Sequence, residues 1–409
     1  MEIEKKGWYK RICLFLLCLP FFWTATGLFW VPAGVRYVPA AVILAFFSSL
    51  ALFGGNIAAL NLKYNRFALI ILLASAYAIF SYFYHGYGSR EMKALIFSFV
   101  FVISFSRSFL SKEHILWIVI IAASGVVGTA AIQSLFFSIE RIHGFINPIL
   151  YATFSASVSI LCFCFCMEYK NPRTRTILLS LSLLTMAATL LTGSRGVWIA
   201  LVAAVLVITG LTYKSTRISK KRMWITALLA ITVTTGLFIN FGMQRIAYMF
   251  DEIEKTQAGE LENAVGIRLQ YLVAGAELAK HAPLFGIGDV YRDNLQEMYD
   301  QGKVNEVVLH YSHFHNQYLD TLVRKGAVGL VLLFAMMLYP IFVVFKVQGE
   351  PWRKNISVGF FVLYLVSGMT DVPMNHAHMI YVYVFFMAAI CVPEAKAGII
   401  HKGYNPSSP

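Results

Sequence analysis

The sequence predicts an all-α polytopic membrane protein: about twelve transmembrane helices with one large, mostly helical loop on the outer side. Two observations carry this. The 409 residues are 58% hydrophobic and 15% aromatic but only 13% charged, where soluble domains hold about 25% charged residues. The apolar runs are also long and continuous, near the ~20 residues a helical span needs, and lack the short alternation of a membrane barrel. With a mean hydropathy of +0.66, a soluble globule, a disordered chain and a coiled coil are excluded.

Taken in order, Lys5, Lys6, Lys10 and Arg11 precede the first apolar run. That layout is similar to a signal peptide, but Trp30, Pro32 and Arg36 follow where a small-residue cleavage site would stand. The segment reads as a retained first anchor. Spans are expected over 12–31, 38–60, 67–85, 94–110, 115–137, 148–167, 177–193, 197–213, 223–242, 326–345, 356–370 and 377–392. Residues 1–242 thus hold nine spans, 243–325 form the loop, and 326–409 hold three spans and a short tail. Within the loop, 266–281 reads as a helix with Ile267, Tyr271, Leu272, Ala274, Gly275 and Leu278 on one face. Pro283 ends it, Leu284–Gly288 reads as a turn, and 314–325 as a helix running into the tenth span.

Charge orients the bundle. With the N-terminus inside, the inner loops carry twenty-one Lys and Arg and the short outer loops five. The bias toward the cytoplasmic side sets topology, so both termini are expected in the cytoplasm and 243–325 in the periplasm. The net charge of +13 is then topological signal and contact with lipid headgroups, and requires no nucleic acid. The six cysteines all lie in apolar runs without a disulfide framework or zinc spacing. Cys162, Cys164 and Cys166 read as lipid-facing or packing residues.

Spans 38–60, 115–137, 148–167, 177–193 and 223–242 contain no ionisable residue at their centres, which argues against ion-coupled transport. The polar chemistry gathers at outer helix ends. Arg195, in Leu191-Thr192-Gly193-Ser194-Arg195-Gly196, either snorkels to headgroups or faces a ligand from a turn whose glycines permit close approach. Arg268 opens the loop helix, where a cation opposes the helix dipole unless an anion is present; a surface ion pair with Glu262 is the alternative. His310, His313 and His315 fall within six residues. They leave open a metal site, a plain interfacial cluster, or a neutral imidazole acting as acid or base. Against the metal, His315 falls off the face shared by the other two and no acid is fixed beside them.

His315-Asn316, nine residues, then Gly326-x-x-Gly329 resembles the signature of the bacterial O-antigen ligase family, within the O-antigen ligase/polymerase superfamily. The Gly-Ser-Arg-Gly turn, Gly266-x-Arg268 and the Pro-Leu-Phe-Gly-Ile-Gly turn are similar too. The resemblance implies a GT-C-like membrane glycosyltransferase of the inner membrane with a periplasmic active site. It would move O-polysaccharide from undecaprenyl diphosphate to lipid A–core, inverting, without metal or other cofactor. On that reading His315 is the general base, and Arg195 and Arg268 hold the diphosphate. Asn316, His313, Asp320 and Arg141 are candidates for acceptor contact or support, though Asn316 also suits a helix cap. Gly326 and Gly329 read as a helix-packing face. Asp371, His376 and His378 are expected to line the last outer turn, within reach of His315. The alternatives are an O-antigen polymerase of the same superfamily, a ligase that glycosylates protein, and a lipid-linked oligosaccharide flippase.

Overall fold

The computed structural model describes residues 2–86, 88–106, 109–213, 243–346 and 350–390. The ninth expected span, 223–242, and Cys391 lie outside them. Among the described residues every regular element is helical. In chain order the helices longer than two turns are α1 (Glu2–Ala25), α2 (Val38–Phe53), α3 (Asn56–Tyr64), α4 (Arg66–His85), α5 (Ser89–Ser104), α6 (Lys112–Leu135), α7 (Pro148–Glu168) and α8 (Pro172–Leu191). There follow α9 (Arg195–Tyr213), α10 (Met243–Gln257), α11 (Ala264–Leu278), α12 (Tyr291–Asp300), α13 (Gln317–Lys346), α14 (Pro351–Ser367) and α15 (Ala377–Ile390). Seven helices among the described residues are long and apolar enough to cross a membrane: 34–53, α4, α6, α7, α8, α9 up to Thr212, and α13; α15 is apolar but shorter. The run expected as one span over 38–60 is two helices, because Gly54 takes φ +58 and ends α2. A left-handed residue cannot continue a right-handed helix.

The bundle forms around α7, whose residues are buried over nearly its whole length. In an apolar solvent, small residues let helices approach and hydroxyls bond between them. Ser155 Oγ donates to the Thr185 carbonyl (2.8 Å) and Ser159 Oγ to that of Ser182 (2.9 Å), fastening α7 to α8. Cys162, Cys164 and Cys166 are buried in α7, so they pack inward and do not face lipid. Gly359 of α14 meets Ile160 and Ile208, bringing α14 against α7 and α9.

Segment 243–325 has its own core: Ile267, Tyr271, Ala274 and Leu278 of α11 with Tyr291 and Leu295 of α12, and with Val308, Phe314 and Val323. Leu272, expected on the buried face, is 51% exposed. It leans away from that stripe, one residue past Tyr271. The helix read over 314–325 runs into an apolar helix as expected, but α13 breaks at Gly326 (φ 62, ψ −168).

That break organises this end of the bundle. With the helix interrupted, the amides of Ala327 and Val328 lose their intrahelical acceptors and donate to the carbonyls of Pro283 (2.8 Å) and Leu284 (3.2 Å). Ile287 N–H returns a bond to the Val323 carbonyl (2.8 Å). A Cβ on Gly326 would lie 2.3 Å from Leu284 backbone, and one on Gly286 2.4 Å from the Arg324 carbonyl carbon. Gly326 therefore admits a backbone segment and is not a helix-packing residue. Gly329 is buried beside the stem of Lys325.

Candidate active site

His315 sits just before α13 with φ +50, a conformation uncommon outside glycine that costs about 1–3 kcal/mol. Its neighbours hold it there. Phe314 N–H donates to Asp320 Oδ1 (3.1 Å). The Asn316 side chain caps α13, accepting from the amides of Tyr318 and Leu319 at 3.0 Å each. Gln317 N–H donates to the Gly368 carbonyl (2.7 Å). Asp320 is fully buried; it also accepts from Asn375 and pairs with Arg324 (3.5 Å). Arg324 in turn reaches Asp289 (2.6 Å). Asp320 thus ties together the His315 loop, α13 and the 371–376 turn from behind. The geometry gives Asn316 and Asp320 supporting positions.

Asp371, 5% exposed, faces both loop histidines. Its Oδ1 lies 3.2 Å from His313 Nε2 and 3.9 Å from His315 Nδ1. The 3.2 Å contact is within ion-pair range but off the angle of a full hydrogen bond, and all three atoms are buried without a completed bond. Burial works to raise the Asp371 pKa, but the contact and charge of His313, with His376 and His315, pull it below the usual value. Burial, then the charge of His313, drives His315 down to about 4 against the pull of Asp371. His315 is therefore a neutral imidazole near pH 7. Nδ1 is the ring nitrogen nearer the carboxylate; a proton held there would leave Nε2 as the basic atom. His310 does not join this group, and His378 lies instead against Phe29.

From the sequence, no acid is fixed beside the histidines. Asp371 corrects it: one ligand atom each from His313, His315 and Asp371 lies within 4.8 Å of the others. These are the residues that could hold a cation.

Both arginines converge on the same place. Gly193 takes φ +69 in the turn before α9, and a Cβ on Gly196 would fall 1.9 Å from Thr370 Oγ1. The turn bearing Arg195 therefore packs against the turn bearing Asp371. Arg195 pairs with Glu252 of α10 (3.1 Å). Asn263 caps α11 through the amides of Val265 and Gly266, and Gly266 lets that turn close on Leu261. Arg268 follows on the exposed face. Its charged neighbours are Arg195, Asp371 and Glu252, not Glu262. Arg268 keeps contact with solvent, but the protein packed around it strips water from the guanidinium; that loss first, then the charge of Arg195, lowers its pKa. Arg141 Nε donates to the Thr192 carbonyl (3.0 Å), bracing the Arg195 turn.

Glu252 was invisible in the sequence, since nothing in its spacing links it to Arg195. Asp371 was visible only as a residue of the last outer turn.

An O-antigen ligase family model matches residues 176–334, a stretch that includes Arg195, Arg268, His315, Asn316, Gly326 and Gly329 and leaves out Arg141 and Asp371. An uncharacterized protein of Haemophilus influenzae is 29% identical over 170 residues, 40% of this chain. The match spans 42% of that relative's length. Over residues 176–334 the chain is similar to the O-antigen ligase family.

Proposed function

We propose that the protein is an O-antigen ligase, moving O-polysaccharide from undecaprenyl diphosphate to a sugar hydroxyl of lipid A–core at the periplasmic face of the inner membrane. The observation that carries this reading is the shared neighbourhood of His315, Arg195, Arg268 and Asp371: one neutral base beside two guanidinium groups at the outer end of apolar helices.

A lipid diphosphate is an activated leaving group, so the work left to the protein is charge neutralisation and deprotonation. Arg195 and Arg268 offer planar forks to the diphosphate, and charge that grows on the leaving oxygen is stabilised most. His315 Nε2 takes the acceptor hydroxyl proton. The acceptor oxygen bonds the anomeric carbon as the carbon–oxygen bond to the diphosphate breaks on the opposite face, inverting that centre. The proton rests on His315, balanced by Asp371 across Nδ1. A base near 4 is weak, but an incoming dianion raises the pKa of a nearby imidazole. Donor binding thus strengthens the base, and Glu252 holds Arg195 until the donor arrives.

Lipopolysaccharide from a deletion strain tests the reading. Loss of a ligase leaves bare core with long chains stranded on the lipid carrier; core bearing one repeat unit would mean a polymerase instead. An impermeant thiol reagent tests the orientation, with labelling expected from outside at position 260 and not at 350.

A further inference from the structure

His313, His315 and Asp371 converge through one atom each. Asp371 Oδ1 lies 3.2 Å from His313 Nε2 and 3.9 Å from His315 Nδ1, and the three atoms all fall within 4.8 Å of one another. Each is buried and none completes a hydrogen bond. A buried polar atom left unsatisfied is uncommon and costly, and three at one point call for a positive charge between them.

The surroundings hold these groups in place. The His315 ring lies against Tyr271, Tyr311 and His313. Asp371 follows Thr370, which packs on Gly196. On the far side of its ring, His313 Nδ1 meets Ser312 Oγ (3.4 Å). A proton on that nitrogen leaves the Nε2 lone pair facing Asp371, the way an outer partner fixes a metal-binding histidine. His313 and His315 keep 19% and 14% of their side chains exposed, which gives an ion from solvent a way in.

We propose that His313, His315 and Asp371 bind a zinc ion that turns the site off; the switch, though not the binding, rests on the reading of His315 as general base. Two imidazoles and one carboxylate suit zinc, whereas magnesium and calcium take oxygen ligands. Zinc bonds to nitrogen and oxygen put neighbouring ligands of a tetrahedron about 3.3 Å apart, so the 3.2 and 3.9 Å separations need only a small turn of the His315 ring. Three protein ligands leave the fourth position open to water. Zinc on His315 Nδ1 moves the ring proton to Nε2, and that nitrogen then cannot accept the proton of the acceptor hydroxyl. The ion also takes up the Asp371 carboxylate that balances the protonated base. The metal-free protein is therefore the active one.

The test uses untagged, chelator-stripped, full-length protein in detergent, titrated with zinc chloride against a colorimetric chelator. One zinc per chain is expected, with an X-ray absorption shell of nitrogen and oxygen at about 2.0–2.1 Å. Asp371→Asn, or His313→Ala should the first misfold, is expected to weaken binding about tenfold or more, and His310→Ala to leave it unchanged. Transfer by the wild-type protein should stop as zinc fills the site and return with EDTA. The residual transfer of His313→Ala should need about tenfold more zinc to stop. Absence of stoichiometric binding, or binding unmoved in the folded variants, would overturn the site. Full occupancy with an undiminished rate would overturn the switch. Zinc held by these three residues in a protein that transfers nothing to lipid A–core would support the site and refute the ligase reading.

Discussion

Gly196 and Thr370 lie so close that a Cβ on Gly196 would fall 1.9 Å from the threonine hydroxyl. Arg195 precedes one and Asp371 follows the other, so this single contact sets the distance between the Arg195 and Asp371 turns of the candidate site. Gly196→Ala is expected to push the turns apart at a cost of about 1–3 kcal/mol while leaving both side chains intact. Transfer should fall at least tenfold with the fold kept, as read by thermal melting in detergent. Normal transfer by a folded Gly196→Ala protein would show that the spacing of the two turns is irrelevant.

His315→Ala is expected to abolish transfer without loss of folding, whereas His310→Ala, outside the cluster, has a mild effect. His313→Ala removes the nearer partner of Asp371 and should fall between them. EDTA is expected to leave the rate unchanged. Strong inhibition, restored by one divalent ion, would reassign His313, His315 and Asp371 as ligands.

For the arginines the informative substitution is lysine. A point-charge ammonium cannot present the planar fork, so Arg195→Lys and Arg268→Lys should be impaired as alanine variants are. The cost is about 2–4 kcal/mol, or roughly 30- to 1000-fold in rate. Both residues act on one group, so the double alanine variant should lose less than the product of the singles. If both lysine variants transferred at near wild-type rates, headgroup anchoring would be the better account.

The depressed His315 pKa also bears on stability. Its neutral form is favoured in the folded protein, from an ordinary value of 6.5 down to about 4. Between these values the unfolded chain binds more protons, so stability rises with pH across the window and is lost as pH falls from 6.5 toward 4. The loss reaches at most about 3 kcal/mol. Melting temperature in detergent should drop over that range, and less so in His315→Gln. An identical drop in the variant would trace the acid sensitivity to other groups.

Gly326 takes φ 62 and ψ −168, a region open essentially to glycine alone. Gly326→Ala should therefore dislodge the 283–288 segment, strain the outer half of α13 and destabilise the protein by several kcal/mol. Gly329→Ala displaces only the flexible stem of Lys325 and should be milder. Limited proteolysis near residue 284 would read the difference.

Features that depend on local pattern are legible in the chain. Long apolar runs dictate helices, because a membrane leaves the backbone no other place to bond. Polar loop composition and the His315-Asn316 to Gly326-x-x-Gly329 spacing marked where chemistry would gather. Asn316 as a cap was legible because capping is a bond to the next few residues. Tertiary structure decided the rest. The span read over 38–60 divides at Gly54, since only the backbone shows which glycine turns left-handed. Gly326 carries the same composition signal as a packing glycine, and its role follows from the inserted carbonyls of Pro283 and Leu284. Asp371 stands beside His313, and Glu252 beside Arg195, because distant turns pack through Gly196 and Thr370. Pairings at long separation leave no periodicity in the chain, and one buried carboxylate facing two histidines is a property of the packed bundle alone.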